Sequence, residues 1–353
     1  MKRILTIILM TAIFSACTSS LVEYDMLDEI GFTVAAGNMT KAAAAGTSLP
    51  SDLNMFVFAE THDNSESLAN YLVNAEFKNK GNYKWGGWKN NAAYPYYWPN
   101  VKTLHFAGYT KSGNATNGAY DCSTGTLTIS NYSPGTSTSA GENDLMWFPS
   151  TKLTRSAGYA KSDEVVPVKM FHTCAWISFV VVGDQVTGSG SNDFKVTEMT
   201  MIGVDQTADL TCSAKYVDNK VVPTIIWKNN SDQTGDNTTY TVPVKEGGAQ
   251  LQTTGVNVET GATLTNSGNV VLIPQKPGTM NLAYTYTNPA GNVVTDHVSG
   301  LDLSISKVDD EDFWQPGLHY IYTIEIKVDK INVVPTLDQT WTYIDGNEDL
   351  STK

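Results

Sequence analysis

From Ile30 onward the apolar residues recur at every second position, in runs of strand length. Clusters of Gly, Pro, Asn, Asp and Ser separate the runs every ~8–15 residues, which is the rhythm of antiparallel strands and turns. "EIGFTVAA" sets Ile30, Phe32 and Val34 against Gly31 and Thr33. "LNMFVFAET", "VKTLHFAGYT", "GTLTISNYS" and "NDLMWFPSTKL" follow, then "VVPVKMFHTCAWISFVVVGD", whose second half is apolar enough for a central strand buried on both faces. Near the end, Tyr320, Tyr322, Ile324 and Ile326 alternate with His319, Thr323 and Glu325 behind a Trp314-Gln315-Pro316-Gly317 turn. Helical spacing is found only weakly, around Asp63–Lys78, within a stretch, residues 62–100, that otherwise reads as irregular and aromatic. A chain patterned this way buries one face of each strand against another sheet, so the fold class is all-β.

Composition agrees. Tyr (17), Trp (8) and β-branched residues are abundant, and Gly (28) supplies turns. Hydrophobic residues make up 41% and charged residues 17%, the balance of a globular chain. With 353 residues there is material for two β-sandwiches with separate cores. The polar stretch "TRSAGYAKSDE" offers a boundary near residues 155–165, and a second position near 183–193 serves almost as well. Taking the first divides the chain into residues 1–17, 18–163 and 164–353.

Met1-Lys2-Arg3 is a basic start, and Ile4–Phe14 is an apolar run of signal-peptide length. Phe14-Ser15-Ala16-Cys17 then resembles a bacterial lipobox, which implies cleavage after Ala16 and a lipid on Cys17; an ordinary secretory signal cut nearby is the other reading. Either way the chain is exported. Cys122, Cys174 and Cys212 remain, an odd number with no Cys-x-x-Cys spacing, so buried free thiols are expected and zinc is not. The net charge of −13 repels nucleic acid and anionic lipid.

Catalytic patterns are missing. His62, His105, His172, His297 and His319 show no metal-ligand spacing, and there is no nucleophile elbow or phosphate loop. His172, just ahead of an apolar strand, reads as a core or junction histidine bonded to backbone. Asp309–Asp312 lacks the spacing of a calcium loop and reads as a solvated turn. No catalytic residue, cofactor or metal site is assigned. Trp85, Trp88, Tyr94, Tyr96, Tyr97 and Trp98 form an aromatic cluster with two readings, a packed patch within the first unit or platforms for sugar rings.

Taken in order, the lipobox, "TKAAAAG", "YYWPNVKTLHFAGYT", the His-containing apolar strand, "VVLIPQ" and "WQPGLHYIYTIEI" resemble the fimbrillin-like proteins of Bacteroidetes, the subunits of type V pili. The resemblance spans nearly the whole chain. It implies two tandem transthyretin-like β-sandwiches and a structural subunit of a cell-surface pilus. Such a subunit travels to the outer membrane as a lipoprotein. There a protease removes the first strand, here Ile30, Phe32 and Val34, and a neighbouring subunit's strand fills the groove. The tail residues Ile331, Val333, Trp341 and Tyr343 have the alternation of such a donor; folding back as an edge strand is the other use open to them. The family's protease is typically arginine-specific, whereas this chain has only Arg3 and Arg155. Cleavage is therefore expected near Lys41, by a lysine-tolerant protease, or not at all. Expected partners are other pilus subunits, membrane lipid through Cys17, the processing protease and a host or bacterial surface ligand. The alternative function is a monomeric surface lipoprotein that binds glycans through the 85–98 aromatics.

Overall fold

The computed structural model describes residues 29–34, 53–61, 69–81, 84–98, 103–110, 114–134, 144–154, 166–183, 194–217, 220–229, 239–251, 255–258, 261, 270–288, 290–304, 312–326, 331–338 and 343–344. Among them are 24 strands and no helix. The first eleven are β1 (Gly31–Val34), β2 (Asn54–Thr61), β3 (Ala69–Asn79), β4 (Lys84–Lys89), β5 (Ala92–Ala93), β6 (Thr103–Thr110), β7 (Ala119–Asp121), β8 (Thr126–Tyr132), β9 (Met146–Thr154), β10 (Val166–Val168) and β11 (Met170–His172). The rest are β12 (Ala175–Gly183), β13 (Lys195–Ile202), β14 (Ala208–Val217), β15 (Lys220–Asn229), β16 (Thr239–Val242), β17 (Ala249–Gln250), β18 (Val256–Asn257), β19 (Val270–Leu272), β20 (Thr279–Thr287), β21 (Val293–Asp302), β22 (His319–Ile326), β23 (Ile331–Asp338) and β24 (Tyr343–Ile344). The chain is all-β, as its alternation requires.

The first large sheet closes on itself. Its order runs β10-β1-β4-β3-β2-β6-β9-β11-β24. Lys169 alone separates β10 from β11, so the segment 166–172 joins the two ends of the sheet. Val166, Val168 and Met170 all face the enclosed core, which shows that the segment is one strand in phase through Lys169. Ile30, Phe32, Met55, Val57, Phe77, Trp85, Leu104, Phe106 and Phe148 fill the interior with it.

The weak helical pattern at Asp63–Lys78 is overturned from Ala69 onward: Ala69–Asn79 is β3, paired with β2 on one side and β4 on the other, while residues 63–68 lie outside the described residues. Helical spacing arises there because a bulge interrupts the alternation. Val57 pairs with Ala75 and Ala59 with Leu72, so β3 carries one extra residue at Val73–Asn74. Leu72 and then Ala75 and Phe77 reach the same core although their spacing is not even. Asn74 takes a φ of 49° at the bulge, and its side chain accepts from Tyr109 Oη and donates to the Thr116 carbonyl.

The second core lies between two five-stranded sheets, β18-β12-β22-β23 with β19, and β16-β13-β20-β21 with β17. Ile177, Phe179 and Val181 of β12, Tyr320, Tyr322 and Ile324 of β22, and Met199, Met201, Met280 and Leu282 meet inside it. The Trp-x-Pro-Gly turn serves this core. Trp314 is fully buried and donates from Nε1 to Tyr322 Oη (2.9 Å), which donates to the Leu303 carbonyl (2.8 Å). Gly317, at φ 72°, lets the chain reverse so that its N–H reaches the Cys174 carbonyl.

A third core joins the two. The hairpin β14–β15 pairs with β8, giving a four-stranded sheet β15-β14-β8-β7 drawn from both halves of the chain. Its inner face covers Phe56, Phe58, Tyr109, Trp147 and Phe171, which point away from the first core. β2 is buried on both faces for this reason. Cys174 and Cys212 are buried free thiols here, and Cys122 is a free thiol that is half-buried. His172 is also buried, and its Nδ1 lies 2.6 Å from Asp144 Oδ2.

Candidate functional site

β1 is a short strand in a central position. It runs antiparallel to β4, Phe32 opposite Trp85, and parallel to β10, Phe32 opposite Val166. Phe32 and Thr33 thus have backbone neighbours on both sides, while Gly31 pairs with β4 and Val34 with β10, and Ile30 and Phe32 enter the first core. Ile30 and Phe32 have no solvent exposure. The Phe32 ring meets Phe77 edge-on at 4.9 Å and Phe106 at 5.3 Å, with Phe148 at 6.1 Å. Burying Ile30 and Phe32 contributes about 1.5–3 kcal/mol each. At the strand's start, Ile30 N–H donates to the Tyr96 carbonyl (2.7 Å), and Glu29 pairs with Tyr97. The Glu29–Lys80 ion pair is exposed, so it adds at most about 1 kcal/mol.

The edge that receives β1 continues past it. β11 pairs with β9 on one side and with β24 on the other, Phe171 opposite Tyr343 and Met170 opposite Ile344. β9, running antiparallel, continues alongside 166–170, so β1 must occupy the edge that β24 occupies. β1 and β24 lie end to end along one side of the 166–172 strand. The first takes it parallel and the second antiparallel.

Val34 extends β1, pairing with Val168. Ile331 and Val333 lie on β23, which pairs with β22 in full antiparallel register as the edge strand of its sheet. Both are partly buried and pack on the second core with Leu337, while Val334 and Thr336 face outward. Pro335 fits this position, since an edge strand tolerates a missing donor. In this chain the 331–338 segment therefore folds back on its own sheet. Tyr343 lies on β24, against the first sheet. Ala16, Cys17, Lys41 and Trp341 lie outside the described residues. Sequence reasoning missed Val166 and Val168 as the partners of β1. Their alternation in "VVPVK" was the available signal, but a parallel contact so distant in sequence leaves no local trace.

The aromatic cluster divides. Trp85 and Trp98 are core residues; Trp88 and Tyr96 are half-buried, and Tyr94 and Tyr97 are exposed. The "WGGW" glycines explain the packing. A Cβ on Gly87 would stand 2.1 Å from the Tyr94 carbonyl oxygen and 2.6 Å from the Tyr96 ring. The 94–98 segment can cross β4 only because that side chain is absent. Asn90 and Asn91, at φ 52° and 60°, form the two-residue turn of the β4–β5 hairpin.

Residues 40–340 match the model of the family described as fimbrillin-like. A fimbrial protein from Bacteroides vulgatus shares 14% identity, with 88% of this chain and 98% of that one aligned at a TM-score of 0.50, a likeness of fold. A cell-adhesion candidate from Bacteroides uniformis aligns at 14% identity over 89% and 98% with a TM-score of 0.48. The tip fimbrial protein Mfa3 of Porphyromonas gingivalis, with a C-terminal truncation, aligns at 10% over 90% and 99% with a TM-score of 0.35. No curated protein matches.

Proposed function

The chain belongs to the fimbrillin-like family, and on that premise we propose that it is a pilus subunit, exported as a lipoprotein and polymerised by exchange of its first strand. Membership itself makes it a fimbrial protein of the cell surface, built to assemble with other subunits, and a structural protein rather than an enzyme.

One observation carries the exchange reading: β1 and the tail strand β24 share one edge of the 166–172 strand. That edge suits a strand of either direction, and the C-terminal tail has the sequence to fill it. Losing β1 would expose the facing backbone of β4 and β10 and empty the Ile30 and Phe32 sites. An open trough of that kind is a template for a donated strand. The donor is a neighbour's tail, with Trp341 and Tyr343 as the inserted side chains, while Ile331 and Val333 stay on β23. Lys41 falls in the sequence between β1 and β2, so a cut there frees β1 and leaves the rest of the chain whole. Arg155 is a poor alternative, because cleavage after it would part β1–β9 from the 166–172 strand that closes the same sheet. Before the cut, lipid on Cys17, exposed by cleavage after Ala16, holds the chain to the outer membrane.

The test is the N-terminal residue of the mature surface protein, read by mass spectrometry. A start near Ala42 is expected. Lipidated Cys17 in every mature surface molecule would overturn exchange through this groove.

A further inference from the structure

A cleft of about 500 Å3 lies against β3 and the β4–β5 hairpin, lined among others by Tyr71, Trp88 and Tyr96 and by Glu76, Lys89 and Asn90. Its size falls within the ~300–1,000 Å3 of small-ligand sites. We propose that it binds a short neutral oligosaccharide, stacked on Trp88 and Tyr71. The proposal does not rest on the pilus reading.

The lining has the two parts that sugar recognition needs. A pyranose ring has an apolar C–H face, which an aromatic ring can cover, and a rim of hydroxyls, which carboxylates, amides and amines can bind. Tyr71 is exposed and Trp88 half-buried, so both can present ring surface to solvent. Lys78 Nζ stands over one face of the Trp88 ring, 4.7 Å from its centre, so a sugar would stack on the other face. The Glu76 carboxylate lines the cleft, and its Oε1 accepts from Asn54 Nδ2 at 2.6 Å.

The rings are held by the fold. The Asn90–Asn91 turn anchors the end of β4 that carries Trp88. Tyr71 Oη donates to the Tyr97 carbonyl, which ties β3 to the 94–98 segment. Gly87 admits the Tyr96 ring close to the β4 backbone. Preorganised rings lose little freedom on binding.

A charged occupant fits less well. An acidic ligand would meet Glu76 and the −13 net charge of the chain. A neutral polyhydroxylated ligand meets neither obstacle.

The experiment titrates the full chain with maltotriose, mannotriose, chitotriose and lacto-N-tetraose, following tryptophan fluorescence. Saturation-transfer NMR on the unsubstituted protein accompanies it. At least one sugar should bind saturably, with its ring C–H protons receiving the strongest transfer. Trp88→Ala should weaken that binding by at least about tenfold, equivalent to about 1.4 kcal/mol of ring contact. Trp88→Phe should retain most of it. The proposal is overturned if no sugar binds, if binding survives both Trp88→Ala and Tyr71→Ala, or if a sialylated sugar is strongly preferred. The NMR arm decides the matter even where a variant fails to fold.

Discussion

Replacing Phe32 by Ala tests whether β1 is a working part of the first core. The ring has no solvent exposure and touches Phe77, Phe106 and Phe148. Truncation removes its transfer free energy and leaves a cavity, for an expected cost of about 3–5 kcal/mol. The cavity cannot readily collapse, because β1 is fixed between β4 and β10 and the surrounding rings sit on three other strands. A domain is stable by only about 5–15 kcal/mol, so this one side chain carries a large share of the first unit's stability. The assay is urea unfolding followed by tryptophan fluorescence, with Trp85 and Trp98 as reporters inside that core. The half-buried Thr33 on the same strand is the control, and Thr33→Ala should cost less than about 1 kcal/mol. Phe179→Ala, in the second core, should shift unfolding of the sheets around that core instead. If Phe32→Ala costs less than about 1 kcal/mol, β1 is not holding this core together. The argument for an exchangeable strand then fails with it.

Three further outcomes follow from the same structure. Tyr322→Phe leaves the Trp314 Nε1 donor and the Leu303 carbonyl without their buried partner, so chemical denaturation should show a loss of roughly 1–3 kcal/mol. Gly87→Ala forces the 94–98 segment off β4; thermal unfolding should fall by several degrees and the Trp88 fluorescence should shift. Burial pushes the Cys174 thiol up to about 12 and the Tyr109 hydroxyl up to about 12, and raises Cys212 and Tyr322 as well. These groups are neutral in the folded chain and ionise more easily once unfolded. Their stabilisation is complete below the unfolded values, 9.0 for thiol and 10.0 for tyrosine, and is lost as pH rises from there toward 12. Denaturant midpoints should therefore hold steady to about pH 9 and decline above it; a flat profile to pH 12 would contradict the burial.

The sequence by itself determined the fold class, because a period of two can bury one face of a strand and cannot bury one face of a helix. It also located β22 and the turn before it, where Tyr320, Tyr322, Ile324 and Ile326 alternate without interruption. It misread β3, because the bulge at Val73–Asn74 breaks the period that makes a strand visible. It could not divide Trp85 and Trp98 from Trp88, since all three belong to one aromatic stretch and only the paths of β4 and of the 94–98 segment decide which ring turns inward. The tertiary structure alone brought Phe32 against Val166 and Phe171 against Tyr343. Those pairings join residues more than a hundred positions apart, through backbone groups every residue carries, so no side-chain pattern records them. Local periodicity is written in the chain; the closing of a sheet is decided by which edges are left to meet.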